Sequence, residues 1–223
     1  MRPTYDYYIY SKPPSGMRFG RIELIHVLMA IGALTMAFAL VSLNIPFSGT
    51  TGLGSEYVMN VLIASFLAVL TGFLMHELAH KFVAVRYGLW AEFRANMQGL
   101  LISIITALFG FVVAAPGAVM IAGPVGLRQS GKISLAGPLT NLAFGGGFFG
   151  LFFILWFANW TGPFLIFLLV YEITMVNLIL GTFNMIPVLP LDGAKIWRWK
   201  KPVWVGVFAV FVTMLVAFFV LTY

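Results

Sequence analysis

The sequence predicts an all-α polytopic membrane protein, with five or six transmembrane helices and a re-entrant extended element next to a buried polar site. Three observations lead there. Of 223 residues, 61% are hydrophobic and 9% charged, with a mean hydropathy of +0.99, against about 25% charged residues in an ordinary soluble domain. The apolar residues gather into six long stretches, each near the ~20 residues that cross a bilayer. The 13 lysines and arginines fall between those stretches and form no patch interleaved with aromatics, so the net charge of +6 reports topology and not nucleic-acid binding. Disorder, a cytosolic enzyme and a disulfide scaffold are excluded, the last also because the chain has no cysteine.

Residues 1–23 read as a polar cytoplasmic leader carrying Arg2, Lys12, Arg18 and Arg21. It lacks the apolar core and small-residue cleavage site of a signal peptide. The apolar stretches then run Leu24 to Leu43, Met59 to Val85, Leu100 to Val119, Leu135 to Phe157, Pro163 to Phe183 and Val203 to Tyr223. No segment between them is long enough for a second folded unit, so residues 24–223 read as one membrane-embedded domain. The third stretch differs from the rest. Gly99 to Gly110 gives about twelve helical residues, roughly 18 Å, too short for a ~30 Å hydrocarbon core. Phe111 to Gly123 follows, β-branched and broken by Pro116-Gly117, and reads as extended chain. Irregular backbone survives at membrane depth only when buried in protein or lining a wet cavity.

Charge supports the same reading. The loops Asn44 to Val58 and Asn159 to Gly162 carry no lysine or arginine. Basic residues occupy the leader, Lys81 to Gln98, Met120 to Ser134 and Asn184 to Pro202. If the third stretch enters and returns on one side, every basic loop is cytoplasmic; if it crosses, the last one lies outside, against the positive-inside bias. An ordinary sixth span is the alternative.

The second stretch contains His76-Glu77-Leu-Ala-His80. Histidines four apart on a helix present both imidazoles to one ion, and Glu77, about 100° around from His76, can act as general base without being a ligand. Ionisable groups facing lipid would cost about 2 to 3 kcal/mol each or more, so an intramembrane cluster marks a functional site. A catalytic zinc takes three protein ligands, and the remaining acids and histidine offer Glu172, Asp192, Glu92 and His26. Asp192 follows the kinked run Asn184-Met-Ile-Pro187-Val-Leu-Pro190-Leu, which can return a carboxylate into the membrane on the same side as His76 and His80. Its alternative role is to cap the helix that follows. Glu172 falls on the opposite half of its span, His26 reads as an interfacial polar residue, and Glu92 with Arg94 as a solvated or strand-face pair. Trp197, Trp199 and Trp204 among basic residues read as an interfacial anchor.

These two motifs, with Ala136-Gly-Pro-Leu-Thr-Asn141 between them, resemble the site-2 protease family of intramembrane zinc metalloproteases over about residues 59 to 200. The resemblance implies one catalytic Zn2+ on His76, His80 and Asp192, Glu77 as the base, and substrate handling by Asn184, Pro187 and Asn141. It also implies a membrane-embedded protease that cleaves peptide bonds within or near transmembrane segments of membrane-protein substrates, using re-entrant extended chain to hold them. No PDZ or CBS regulatory domain is evident. Competing readings are a membrane zinc hydrolase of lipidated peptides and a non-enzymatic metal transporter or scaffold. The sequence does not indicate an oligomeric state.

Overall fold

Helix α1 spans Arg21–Ser42, followed by α2 (Ser55–Val69), a π-helical turn (Leu70–Leu74) and α3 (Met75–Arg86). Then come β1 (Trp90–Ala95), α4 (Met97–Ala107), β2 (Gly117–Ala122), α5 (Leu127–Phe157), α6 (Phe164–Asn184), α7 (Asp192–Trp199) and α8 (Lys201–Thr222). This computed structural model describes residues 17–43, 54–113 and 116–222. Most of the expected leader, and residues 44–53 of the first uncharged loop, lie outside the described residues.

Five helices are long and apolar enough to cross a membrane: α1, the continuous Ser55–Arg86, α5, α6 and α8. Their outer faces carry exposed Leu28, Ile154 and Val220, side chains that only lipid would solvate. The chain is a multi-pass membrane protein. Helix α4 has 11 residues, about 16 Å at 1.5 Å per residue, and cannot cross. Its surroundings give the reason it need not. β1 and β2 pair antiparallel from Trp90↔Ala122 to Ala95↔Gly117, so the chain returns beside the point where it left. The third apolar stretch is therefore re-entrant and not a sixth span. Its helix begins two residues before the expected Gly99, because the Asn96 side chain accepts from Gly99 N–H at 3.2 Å and caps it. The strand occupies the second half of the expected extended segment.

Two of the apolar clusters among the described residues carry most of the helix packing. Leu34, Phe73, Phe93 and Val176 join α1, the π turn, β1 and α6. Phe152, Leu178, Phe211 and Phe218 join α5, α6 and α8. Polar groups of the π turn, α5 and α6 interlock: Asn177 Nδ2 donates to Thr71 Oγ1 at 3.0 Å, and Asn141 Nδ2 to the Gly72 carbonyl at 2.7 Å and Asn177 Oδ1 at 3.1 Å. Gly72 eases this approach, since a Cβ there would lie 3.0 Å from a Val176 methyl, which would have to give way.

The basic aromatic segment does more than sit at an interface. Trp204 Nε1 donates to the Met185 carbonyl at 2.7 Å, and Trp199 fills the space beside Gly131. Both tie α7 and α8 to the rest of the bundle.

Candidate metal centre

The π turn immediately precedes the helix that carries His76, Glu77 and His80. Such turns insert one residue into an α-helix and recur at functional sites. Both histidines are buried, and each has a partner that fixes its proton. His76 Nδ1 lies 2.5 Å from Asn141 Oδ1. Because both amide hydrogens of Asn141 go to Gly72 and Asn177, the atom facing His76 is an acceptor and Nδ1 must carry the proton. His80 Nδ1 lies 2.7 Å from the Ile133 carbonyl, which can only accept. Both rings therefore turn an unprotonated Nε2 inward.

Those two nitrogens are 2.9 Å apart, and Asp192 Oδ2 lies 3.3 Å from His76 Nε2 and 3.0 Å from His80 Nε2. Three lone pairs converging at that range repel one another unless a cation lies among them. The spacing suits zinc, whose tetrahedral ligands at about 2.0 to 2.1 Å sit about 3.3 Å apart. Gly137 leaves the room: a Cβ there would be 2.5 Å from both Nε2 atoms. Pro138, inside α5 one turn beyond Ser134, lacks the N–H that would bond the Ser134 carbonyl. His76, His80 and Asp192 are thus the described residues able to hold a metal, and this donor set fits zinc.

Asp192 is the first residue of α7, with Leu191 in the capping position. It arrives there because Gly193 lets the backbone pass the Met185 and Ile186 carbonyls, where any Cβ would collide. Lys195 Nζ sits 3.8 Å from Asp192 Oδ1, on the oxygen that does not face the histidines.

The centre opens on a cavity of about 900 Å³ lined by His76, Glu77, Asp192, Asn184 and the strand Gly117 to Ile121. Val119 N–H donates to Glu77 Oε2 at 3.2 Å, joining the strand to the helix of the histidines. Asn184 bonds the Leu180 carbonyl at 3.0 Å and stands on the cavity wall. Pro187 is not on that wall, and Asn141 is fully buried behind His76. The other candidate ligands are elsewhere. His26 Nδ1 accepts from Ala95 N–H, Glu172 accepts from Ser42 in the opposite half of the bundle, and Glu92 pairs with Arg94 at 2.5 Å along β1. Sequence reasoning missed the buried pair of Glu23 and Lys81 and the part played by Asn177. An ionisable Lys81 directly after His80 was the available signal for the first.

A multi-pass helical bundle with a two-histidine, one-carboxylate centre and an adjacent glutamate defines a membrane zinc metalloprotease. Comparison with known proteins agrees. The chain is 36% identical to "Putative zinc metalloprotease MJ0611" of Methanocaldococcus jannaschii over 189 residues, 84% of this chain and 89% of that one. It is 33% identical to "Putative zinc metalloprotease Rip3" of Mycobacterium tuberculosis over 165 residues, 72% of this chain and 37% of the relative. With "Zinc metalloprotease MJ0392" of M. jannaschii it shares 30% identity over 139 residues, 60% of this chain and 33% of that one. No family model and no solved structure matches it. The chain belongs to the site-2 protease family of zinc metalloproteases.

Proposed function

We propose that the protein is an intramembrane protease that hydrolyses peptide bonds of transmembrane segments, with zinc held by His76, His80 and Asp192 and Glu77 as general base. The observation that carries this reading is the strand β2, which runs along the cavity past Glu77. A transmembrane helix keeps its carbonyls in internal hydrogen bonds and must be unwound before cleavage; the edge of a strand that faces away from its partner gives the unwound segment new backbone partners.

Bound zinc supplies Lewis-acid charge that polarises a carbonyl and makes water a nucleophile at neutral pH. The chain's own residues do the rest. β2 aligns the substrate backbone beside the centre, and Asn184 offers amide groups to backbone atoms freed from the helix. Glu77 accepts a proton on its carboxylate as water adds to the scissile carbonyl. It returns that proton to the amide nitrogen as the C–N bond breaks, leaving a carboxylate and an amine. Asn141 and the Ile133 carbonyl hold the imidazoles in the tautomer the site requires. The active site opens toward the cytoplasm in this reading, on the side of the basic loops.

Glu77→Gln tests it. In proteoliposomes with a reporter transmembrane substrate, the variant keeps one zinc per chain and loses about 10²- to 10⁴-fold in cleavage rate. Undiminished cleavage by pure Glu77→Gln protein overturns the assignment.

A further inference from the structure

The two strands have unlike outer edges. In an antiparallel pair, alternate residues turn their N–H and C=O toward the partner and away from it. The bond from Asn96 N–H to the Pro116 carbonyl, 2.9 Å, sets the parity: Ala91, Phe93 and Ala95 of β1 point outward, as do Gly117, Val119 and Ile121 of β2. On β1 two of the outward N–H groups are taken by side chains. Phe93 N–H donates to Glu23 Oε1 at 3.0 Å and Ala95 N–H to His26 Nδ1 at 3.3 Å, both from α1. On β2 Val119 N–H goes to Glu77 Oε2 at 3.2 Å, and Gly117 and Ile121, the outward residues on either side of it, line the cavity.

Glu23 also holds Lys81, whose Nζ donates to its two carboxylate oxygens at 2.5 and 2.6 Å and to the Arg18 carbonyl at 2.6 Å. Glu23 and Lys81 are each 1% exposed. A buried ion pair adds little stability over an apolar pair of the same size, so its presence calls for another role. Lys81 directly follows His80, and one carboxylate therefore ties the helix of the metal centre to the strand whose partner lines the cavity.

We propose that Glu23 and His26 are positioning residues: they occupy the outward N–H groups of Phe93 and Ala95 on β1, leave Gly117 and Ile121 of β2 as the backbone positions beside the metal centre where an extended substrate pairs, and through Lys81 hold that strand in register with Glu77. An unwound segment pairs with any free strand edge, and only β2 leads it to the metal. The substrate's part in this rests on the protease reading above; the closure of β1 does not.

The test uses the full zinc-loaded chain in proteoliposomes and two double variants. Glu23→Gln/Lys81→Met keeps an acceptor for Phe93 N–H and leaves no unpaired charge; Glu23→Leu/Lys81→Met removes the acceptor as well. Amide hydrogen exchange over residues 90–95, zinc content and the cleavage products of a reporter transmembrane segment are measured on both. The Leu variant is expected to keep zinc, to exchange about 10-fold faster in β1, to raise KM about 10-fold, and to spread cleavage over neighbouring bonds. The Gln variant stays close to the unmodified chain in all four. Wild-type exchange and a single wild-type cleavage site in the Leu variant overturn the proposal. His26→Leu, which changes no ion pair, provides the same comparison at Ala95 should the double variants fail to insert. If the unmodified chain binds zinc and cleaves nothing, the protease reading fails, while exchange in β1 still decides the role of Glu23.

Discussion

Asn141 illustrates how much of the proposed metal centre lies behind the residues that would hold the ion. Its two amide hydrogens are committed to Gly72 and Asn177, which leaves its oxygen as a fixed acceptor for His76. Asn141→Leu keeps the volume and removes the acceptor, so His76 loses both its tautomer and its orientation. Zinc affinity is expected to fall about 10- to 100-fold, as for other partners of ligating histidines, measured by competition against a chelator. Gly137→Ala acts more directly, since its Cβ would stand 2.5 Å from both Nε2 atoms. Zinc should then be lost altogether, whereas Gly147→Ala on the same helix, with nothing within 4 Å of its Cβ, should bind as before. The convergence of His76 and His80 beside Glu77 was legible in the sequence because their relation is local, one turn of one helix. The partnership of Asn141 with His76 was not, because it spans 65 residues and depends on which faces of α5 and α3 meet. Resemblance alone pointed to Asn141, as a residue of substrate handling; its buried side chain lies against His76 Nδ1.

At the scale of elements, the strand β2 carries a prediction that its parity makes specific. Ile121 turns its N–H outward to the cavity, and Met120 turns its N–H to β1. Proline removes a backbone donor and is tolerated in a strand only where that donor is not in the ladder. Ile121→Pro should leave the sheet paired and zinc bound, and raise KM for a transmembrane substrate about 10-fold or more. Met120→Pro should instead break the pairing with Glu92, seen as rapid amide exchange in β1. Equal KM effects from the two would show that the outward edge has no special part in binding substrate. The re-entrant character of this region was legible from length, since α4 is too short to cross. The partner strand announced itself only through Glu92 and Arg94, two residues apart on one face. The π turn left no mark, because Leu70 to Leu74 is as apolar as the helix around it and its partners, Asn141 and Asn177, lie on other helices.

For the whole molecule, the pairing of β1 with β2 settles a count that charge alone left open. Between Arg86 and Leu127 the chain makes no net crossing, since Trp90 and Ala122 lie side by side. The described lysines and arginines from Arg18 to Lys201 then all fall at the end of the bundle that holds His80, Lys81 and α7. Positive residues favour the cytoplasmic side, so that end, with the mouth of the metal centre, is expected to face the cytoplasm. The absence of cysteine makes this measurable in the intact chain, because any cysteine introduced is unique. Tyr87→Cys, Val125→Cys and Lys200→Cys should react with a membrane-impermeant maleimide only after cells are permeabilised, and Thr161→Cys before. Opposite labelling at Tyr87 and Val125 would mean that the re-entrant segment crosses after all. That would also separate Asp192 from His76 and His80, so the same labelling pattern tests the fold and the metal centre together.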